Sequence, residues 1–114
     1  MHKINVGVNI YPYPMPVTLI GATVEGRANF MAVAWMNRAN RNPPLFVAAF
    51  NKRRYTAAGI RENRTFSINF PGVDLIEKAD YCGLVSGRKM DKSTVFEVFY
   101  GEILNLEYSQ VNQL

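Results

Sequence analysis

The chain has 114 residues, 48% hydrophobic and 19% charged, a globular balance that excludes disorder, a coiled coil or a collagen-like repeat. Its length is that of one domain with one core, which argues against a separate cofactor module. The formal charge of +4 is unevenly placed: residues 27–64 hold eight basic side chains against the single acid Glu62, while the rest holds five basic and eight acidic. The middle of the chain therefore calls for an anion, whether nucleic acid, an anionic membrane surface or a phosphorylated small molecule.

Residues 16–24, Pro-Val-Thr-Leu-Ile-Gly-Ala-Thr-Val, are rich in β-branched side chains, and Glu25-Gly26 is a turn signal before a second run at 28–36, so the pattern predicts a hairpin. The polar stretch 37–44 ends in Pro43 and Pro44 and reads as a connection, and the apolar run 45–50 reads as a buried third strand. Tyr55–Asn63 carries Ala57, Ala58, Ile60, Arg61 and Glu62 and predicts a short helix, with Thr56 as its N-terminal cap and Gly59 as an interior weakness. Residues 65–70 alternate, with Phe66, Ile68 and Phe70 on one face and Ser67 and Asn69 on the other, as a half-buried strand does.

A second helix is expected over 74–81, with Leu75, Ile76 and Ala79 on one face and Gly83 as the stop. Residues 86–92 form a polar basic loop, 95–100 are apolar but ambiguous between helix and strand, and the pattern fades over 105–114. The whole reads as one domain, 1–114, of several strands with two helical insertions: a mostly β, α+β or small-barrel design.

Several chemistries lack their residues. His2 is the only histidine and Cys82 the only cysteine, so a Ser-His-Asp triad, a Cys-His pair, a histidine-rich metal site and an internal disulfide are all set aside. Cys82 and Tyr81 read as packing residues, since no histidine is available to activate the thiol. The longest uncharged stretch, 4–24, holds Pro12, Pro14 and Pro16 and does not read as a membrane span. No secretory signal pattern opens the chain, which makes a reducing cytoplasm the expected location. If the protein does chemistry, the reactive group is borrowed from a cofactor.

Three places could receive one. Lys52-Arg53-Arg54-Tyr55-Thr56 stands at the predicted start of the first helix, where unpaired N–H groups and the macrodipole favour an anion; the alternative is a solvated loop. In Ser86-Gly87-Arg88-Lys89-Met90-Asp91-Lys92, Gly87 permits close approach and Ser86 and Lys89 could bond an anion, although an ordinary turn with Asp91 and Lys92 paired on the surface accounts for it as well. In Asn29-Phe30-Met31-Ala32-Val33-Ala34-Trp35, Ala32 and Ala34 leave one strand face shallow enough for a flat ring, with Trp35 at its border; alternatively Phe30, Val33 and Trp35 are core.

Taken in order, Pro-Val-Thr-Leu-Ile-Gly-Ala, Asn-Phe-Met-Ala-Val-Ala-Trp, Asn-Pro-Pro, Lys-Arg-Arg-Tyr-Thr, Phe-Ser-Ile-Asn-Phe-Pro, Asp-Tyr-Cys-Gly and Ser-Gly-Arg-Lys-Met-Asp-Lys resemble the flavin reductase-like, FMN-binding family, in particular its flavoredoxin branch, over roughly residues 13–102. The resemblance implies a split β-barrel, usually a homodimer, that holds FMN near the subunit interface and passes electrons between NAD(P)H or a redox protein and flavin. It also implies that Asn29, Met31, Ala32, Val33, Ala34 and Trp35 run along the ring and ribityl chain. By the same resemblance, Lys52, Tyr55 and Thr56 take the phosphate, and Ser86, Gly87, Lys89, Asp91 and Lys92 close over the cofactor. No side chain need be a general acid or base. Family members continue with further strands after the Phe-Tyr-Gly-Glu stretch at 99–102, so strands beyond about residue 104 are expected to be missing here.

Two other readings compete. A small basic β-barrel binding single-stranded nucleic acid would use the cationic segment with Phe46, Phe50 and Tyr55 as stacking surfaces. A split-barrel scaffold that has lost its cofactor would serve only in assembly.

Overall fold

The computed structural model describes residues 1–8, 11, 13–93 and 106–107. Two strands, β1 (Thr18–Val24) and β2 (Arg27–Val33), form the predicted hairpin, with Val24 opposite Arg27 across a two-residue turn. Glu25 and Gly26 both have positive φ, 51° and 78°, the geometry whose twist matches that of the flanking strands and which glycine adopts without steric cost. On the other side β1 pairs antiparallel with β5 (Thr65–Asn69), which pairs with the short β6 (Leu106–Glu107), giving the order β2-β1-β5-β6. Among the described residues β2 is therefore an edge strand of this sheet.

Alternation along β1 and β2 divides the core. On one face Ile20, Met31 and Val33 pack with Ile60 of the helix α1 (Tyr55–Asn63), and Phe50 and Phe66 lean on this cluster. On the other face Leu19 packs with Ala79 and Cys82 of the helix α2 (Ile76–Leu84), with Phe30 against them. Ile20 is fully buried, and removing such a side chain from water contributes about 1.5–3 kcal/mol. The hairpin is thus clasped between two helices, and the gap between the start of α1 and the end of α2 opens beside the edge strand β2.

Where the structure departs from sequence expectation, packing supplies the reason. The second run stops at Val33 instead of residue 36: the Met36 N–H bonds the Ala34 carbonyl at 3.0 Å, the chain turns, and β3 (Met36–Asn40) begins. Trp35, on that turn, is 57% exposed and stacks on Tyr11 with ring centroids 6.4 Å apart, so it is not core. The expected connection 37–44 is largely strand, because β3 pairs with β4 (Leu45–Ala48) in a separate two-stranded sheet. Most of this hairpin is solvent-exposed, so no buried face imposes an apolar alternation on it. For the same reason β4 is not the buried strand expected over 45–50.

Both helices also differ in detail. Gly59 is no weakness in α1, since a Cβ there would collide with the Thr23 carbonyl oxygen, and its absence lets the helix lie directly on β1. Gly83 does not stop α2. It sits in the last turn, where a Cβ would meet Ala32 at 3.4 Å, and the cap is Val85, whose N–H bonds the Tyr81 carbonyl at 3.0 Å. A 3-10 turn, Val73–Leu75, leads into α2, and Ile76 is exposed, not part of a buried face. The 95–100 run lies outside the described residues. Among the described residues no helix is long and apolar enough to cross a membrane.

Candidate functional site

The start of α1 is built without a cap. Arg54 occupies the N-cap position and makes no capping bond, no acidic residue stands in the first turn, and the first N–H groups of a helix have no intrahelical acceptor. Thr56, expected as the cap, is one turn-position inside the helix and almost fully buried, and its Oγ1 accepts a 2.7 Å bond from Asn29 Nδ2. Asn29 lies on β2 in register with Met31 and Val33, so it occupies the polar end of an otherwise apolar stripe and meets α1 there.

Between the start of α1 and the end of α2 lies a cleft of about 350 Å³. Its lining combines the polar or cationic Arg53, Arg54, Tyr55, Thr56 and Arg88 with the apolar Phe30, Met31, Cys82, Leu84 and Val85. Among the described residues, four cations and no carboxylate line it. One of the four, Lys92, is 3% exposed and committed to the fold: its Nζ donates to the Phe30 carbonyl at 3.0 Å and the Cys82 carbonyl at 2.9 Å, tying loop, edge strand and α2 together. Burial pulls the Lys92 pKa down. Burial likewise pushes the Cys82 thiol up, with Lys92 opposing, so Cys82 stays a neutral thiol at physiological pH.

Residues 86–90 turn tightly beside this cleft. The Ser86 carbonyl accepts the Lys89 and Met90 N–H groups at 3.0 and 3.2 Å, and the Arg88 guanidinium lies 5.9 Å from the Tyr55 ring centroid. Gly87 is required by contact: a Cβ would overlap Asn29 Oδ1 and come within 2.8 Å of the Tyr55 ring. On the outer side of this turn a second cleft of about 240 Å³ holds Glu25, Arg27, Lys89 and Asp91. There the acids are taken. Glu25 accepts the Tyr55 hydroxyl at 2.9 Å, which raises the Tyr55 pKa. Asp91 accepts the Ser93 hydroxyl at 2.7 Å, the Ser93 N–H at 2.9 Å and Arg27 Nη1 at 3.0 Å, which together hold its pKa at about 2.

Of the residues singled out from sequence, Asn29, Met31, Tyr55, Thr56, Ser86, Gly87 and Lys92 line the first cleft, and Lys89 and Asp91 line the second. Asp91 and Lys92 are not a surface pair, because one bonds Arg27 and the other is buried. Ala32, Val33, Ala34, Trp35 and Lys52 line neither cleft. Val33 is core, and the Lys52 carbonyl accepts Arg61 Nη2 at 2.9 Å. Arg53, Arg54, Arg88 and the 82–85 wall also line the first cleft. The three arginines stood inside the two candidate basic segments, whose members a single sequence does not rank, and the wall was hidden by placing the helix end at Gly83. Of the aromatics offered as a nucleic-acid stacking strip, Phe50 packs on the core and Tyr55 lies under Arg88.

The profile of the flavin reductase like domain family matches residues 10–110. The chain belongs to this family. Flavoredoxin from Methanosarcina acetivorans is 56% identical, with a TM-score of 0.80, over 90% of this chain and 55% of that one. Flavoredoxin of Desulfovibrio vulgaris (Miyazaki F) is 34% identical, TM-score 0.72, over 80% and 50%. An FMN-binding protein from Thermus thermophilus, in a structure with bound 1-cyclohex-2-enone, is 27% identical, TM-score 0.69, over 81% and 54%. The chain thus spans about half the length of each of these flavin reductase-like proteins. Its strands and two short helices are those of the family's split β-barrel.

Proposed function

We propose that this domain binds FMN and serves as a flavin reductase- or flavoredoxin-like oxidoreductase, passing electrons between NAD(P)H or a redox protein and flavin. The observation that carries the reading is the uncapped, acid-free start of α1 facing a cleft that, among the described residues, is lined by four cations and no carboxylate. The donor set suits a phosphate monoester: helix N–H groups, the Thr56 hydroxyl, and the Arg53, Arg54 and Arg88 guanidinium groups. The apolar part of the lining, from β2, Cys82 and Leu84, suits a flat aromatic ring, and similarity to flavoredoxins and to an FMN-binding protein supports FMN as the ligand.

When bound, FMN supplies the hydride and electron chemistry. The chain's own groups bind and orient: the guanidinium groups neutralise the phosphate, and Tyr55 and Gly87 hold the 86–90 turn close. Phe30, Met31 and Leu84 supply apolar surface to the cleft. Lys92 ties β2 to α2 by its two carbonyl bonds. We also propose a homodimer, supported by the exposed Leu45, Phe46 and Val47 of the β3-β4 hairpin near the exposed Trp35 turn. Light scattering is expected to give twice the chain mass, and a monomer at all concentrations would reject the dimer. For the cofactor, the test is the visible absorption spectrum of the purified chain after adding FMN and removing the excess. A retained flavin spectrum is expected; a colourless protein would reject the reading and favour a cofactor-free scaffold.

A further inference from the structure

The contact between Asn29 and Thr56 says more than that a phosphate is held. Both side chains are more than nine-tenths buried, at 5% and 1% exposure, and both line the first cleft. A threonine hydroxyl has one proton to give and two lone pairs to receive. Asn29 Nδ2 fills one lone pair at 2.7 Å, so the proton must point away from Asn29. Its usual acceptor within a helix is the carbonyl four residues back. Here that is Lys52, which lies before the helix begins at Tyr55, and among the described residues the Thr56 hydroxyl donates to nothing. A buried donor left unsatisfied is costly. The other end of the amide is boxed in as well, because Gly87 presses against Asn29 Oδ1.

We propose that Asn29 is a positioning residue that fixes Thr56 as a hydrogen-bond donor and thereby makes this corner select a flavin bearing an ionised phosphate over the same flavin ending in a hydroxyl. The inference rests on the FMN reading above and assigns the phosphate selectivity to a residue that need not touch the phosphate. The ionised oxygen is the better acceptor for a donor whose direction is already set, and charge-assisted bonds of this kind are roughly twice as strong as neutral ones. The second cleft shows why the inference belongs here: its two acids are each engaged by neighbouring side chains, leaving no comparable demand for a ligand.

The test is a set of dissociation constants for FMN and for riboflavin, by quenching of flavin fluorescence, for the wild type, Asn29→Leu, Thr56→Val and the double variant. The readout is the ratio of the riboflavin to the FMN constant. Thr56→Val should lower that ratio about tenfold or more, as loss of a bond to a charged group does. Asn29→Leu should lower it by a similar factor, the double variant should fall no further than either single change, and Thr56→Ser should keep it. Should Asn29→Leu fail to fold, Asn29→Ala replaces it and Thr56→Val still decides the donor role. If Asn29→Leu weakens both flavins equally, or Thr56→Val leaves the ratio unchanged, the positioning role is wrong while FMN binding stands. A wild type that binds neither flavin overturns both readings together.

Discussion

The two clefts on either side of the 86–90 turn share Asn29, Tyr55, Gly87, Arg88 and Lys92, yet they differ in the state of their charges. On the outer side, Arg27 meets Asp91 and Tyr55 meets Glu25, and each acid is engaged within the chain. On the inner side, Arg53, Arg54 and Arg88 gather at an uncapped helix start, and among the described residues no acid lines the cleft and a buried threonine hydroxyl has no acceptor. Similar residue types, a few ångströms apart, make a stabilised surface in one case and a demand for a ligand in the other. Counting cations along the sequence does not distinguish them; counting the carboxylates that reach those cations does.

Charge reversal should expose this difference most strongly. Arg54→Glu is expected to weaken FMN binding about a hundredfold or more, since it both removes a charge-assisted donor and opposes the helix dipole. Arg27→Glu, in the outer cleft, should change it by less than about threefold, in line with the small worth of an exposed ion pair. Fluorescence titration at one fixed ionic strength compares them, and equal losses would dissolve the distinction between the clefts. Gly87→Ala should come next. The turn must move off Asn29 and Tyr55, at a cost of about 1–3 kcal/mol in stability by urea unfolding, with a parallel loss of FMN affinity.

Lys92→Met strips the donor from the Phe30 and Cys82 carbonyls, and unsatisfied buried acceptors cost about 1–3 kcal/mol. Its effect should appear first in urea unfolding, because its two bonds hold β2 to α2. The smallest effect belongs to the outer cleft. Asp91 has its pKa lowered to about 2 from 3.8, chiefly by Ser93 and then by Arg27. The unfolded chain therefore binds the proton more readily, and the contribution of Asp91 to stability is present above pH 3.8 and is lost as pH falls toward 2. By NMR titration Ser93→Ala should return the Asp91 pKa toward 3.8 more fully than Arg27→Ala, with FMN affinity untouched by the former.

Much of the scaffold was legible because it obeys local rules. The Glu25-Gly26 hairpin, the helix Tyr55–Asn63 and the strand through Phe66 and Ile68 each announce themselves by turn chemistry or period. The β3-β4 hairpin did not, because its largely solvated faces carry no apolar alternation. Gly59 and Gly83 misled in related ways: local rules treat glycine inside a helix as a weakness and near its end as a stop, whereas here each allows a helix to lie close to the sheet. The candidate anion site was legible as a basic run at a helix start, but the run could not say that Lys52 would line neither cleft while Arg53 and Arg54 line the first. Asn29 was named through the family resemblance, and the residues alone mark it too: it shares the buried face of β2 with Met31 and Val33, and a polar residue in such a stripe needs a partner.

The central claim is that the start of α1 holds the phosphate of FMN, and phosphorus NMR tests it without any assay of turnover. With the wild-type chain the phosphorus resonance of FMN should shift and broaden on binding, and with Arg54→Glu it should return toward that of free FMN, while Arg27→Glu leaves it as in the wild type. A flavin that is bound by its ring but whose phosphorus resonance stays that of free FMN in the wild type would contradict the account.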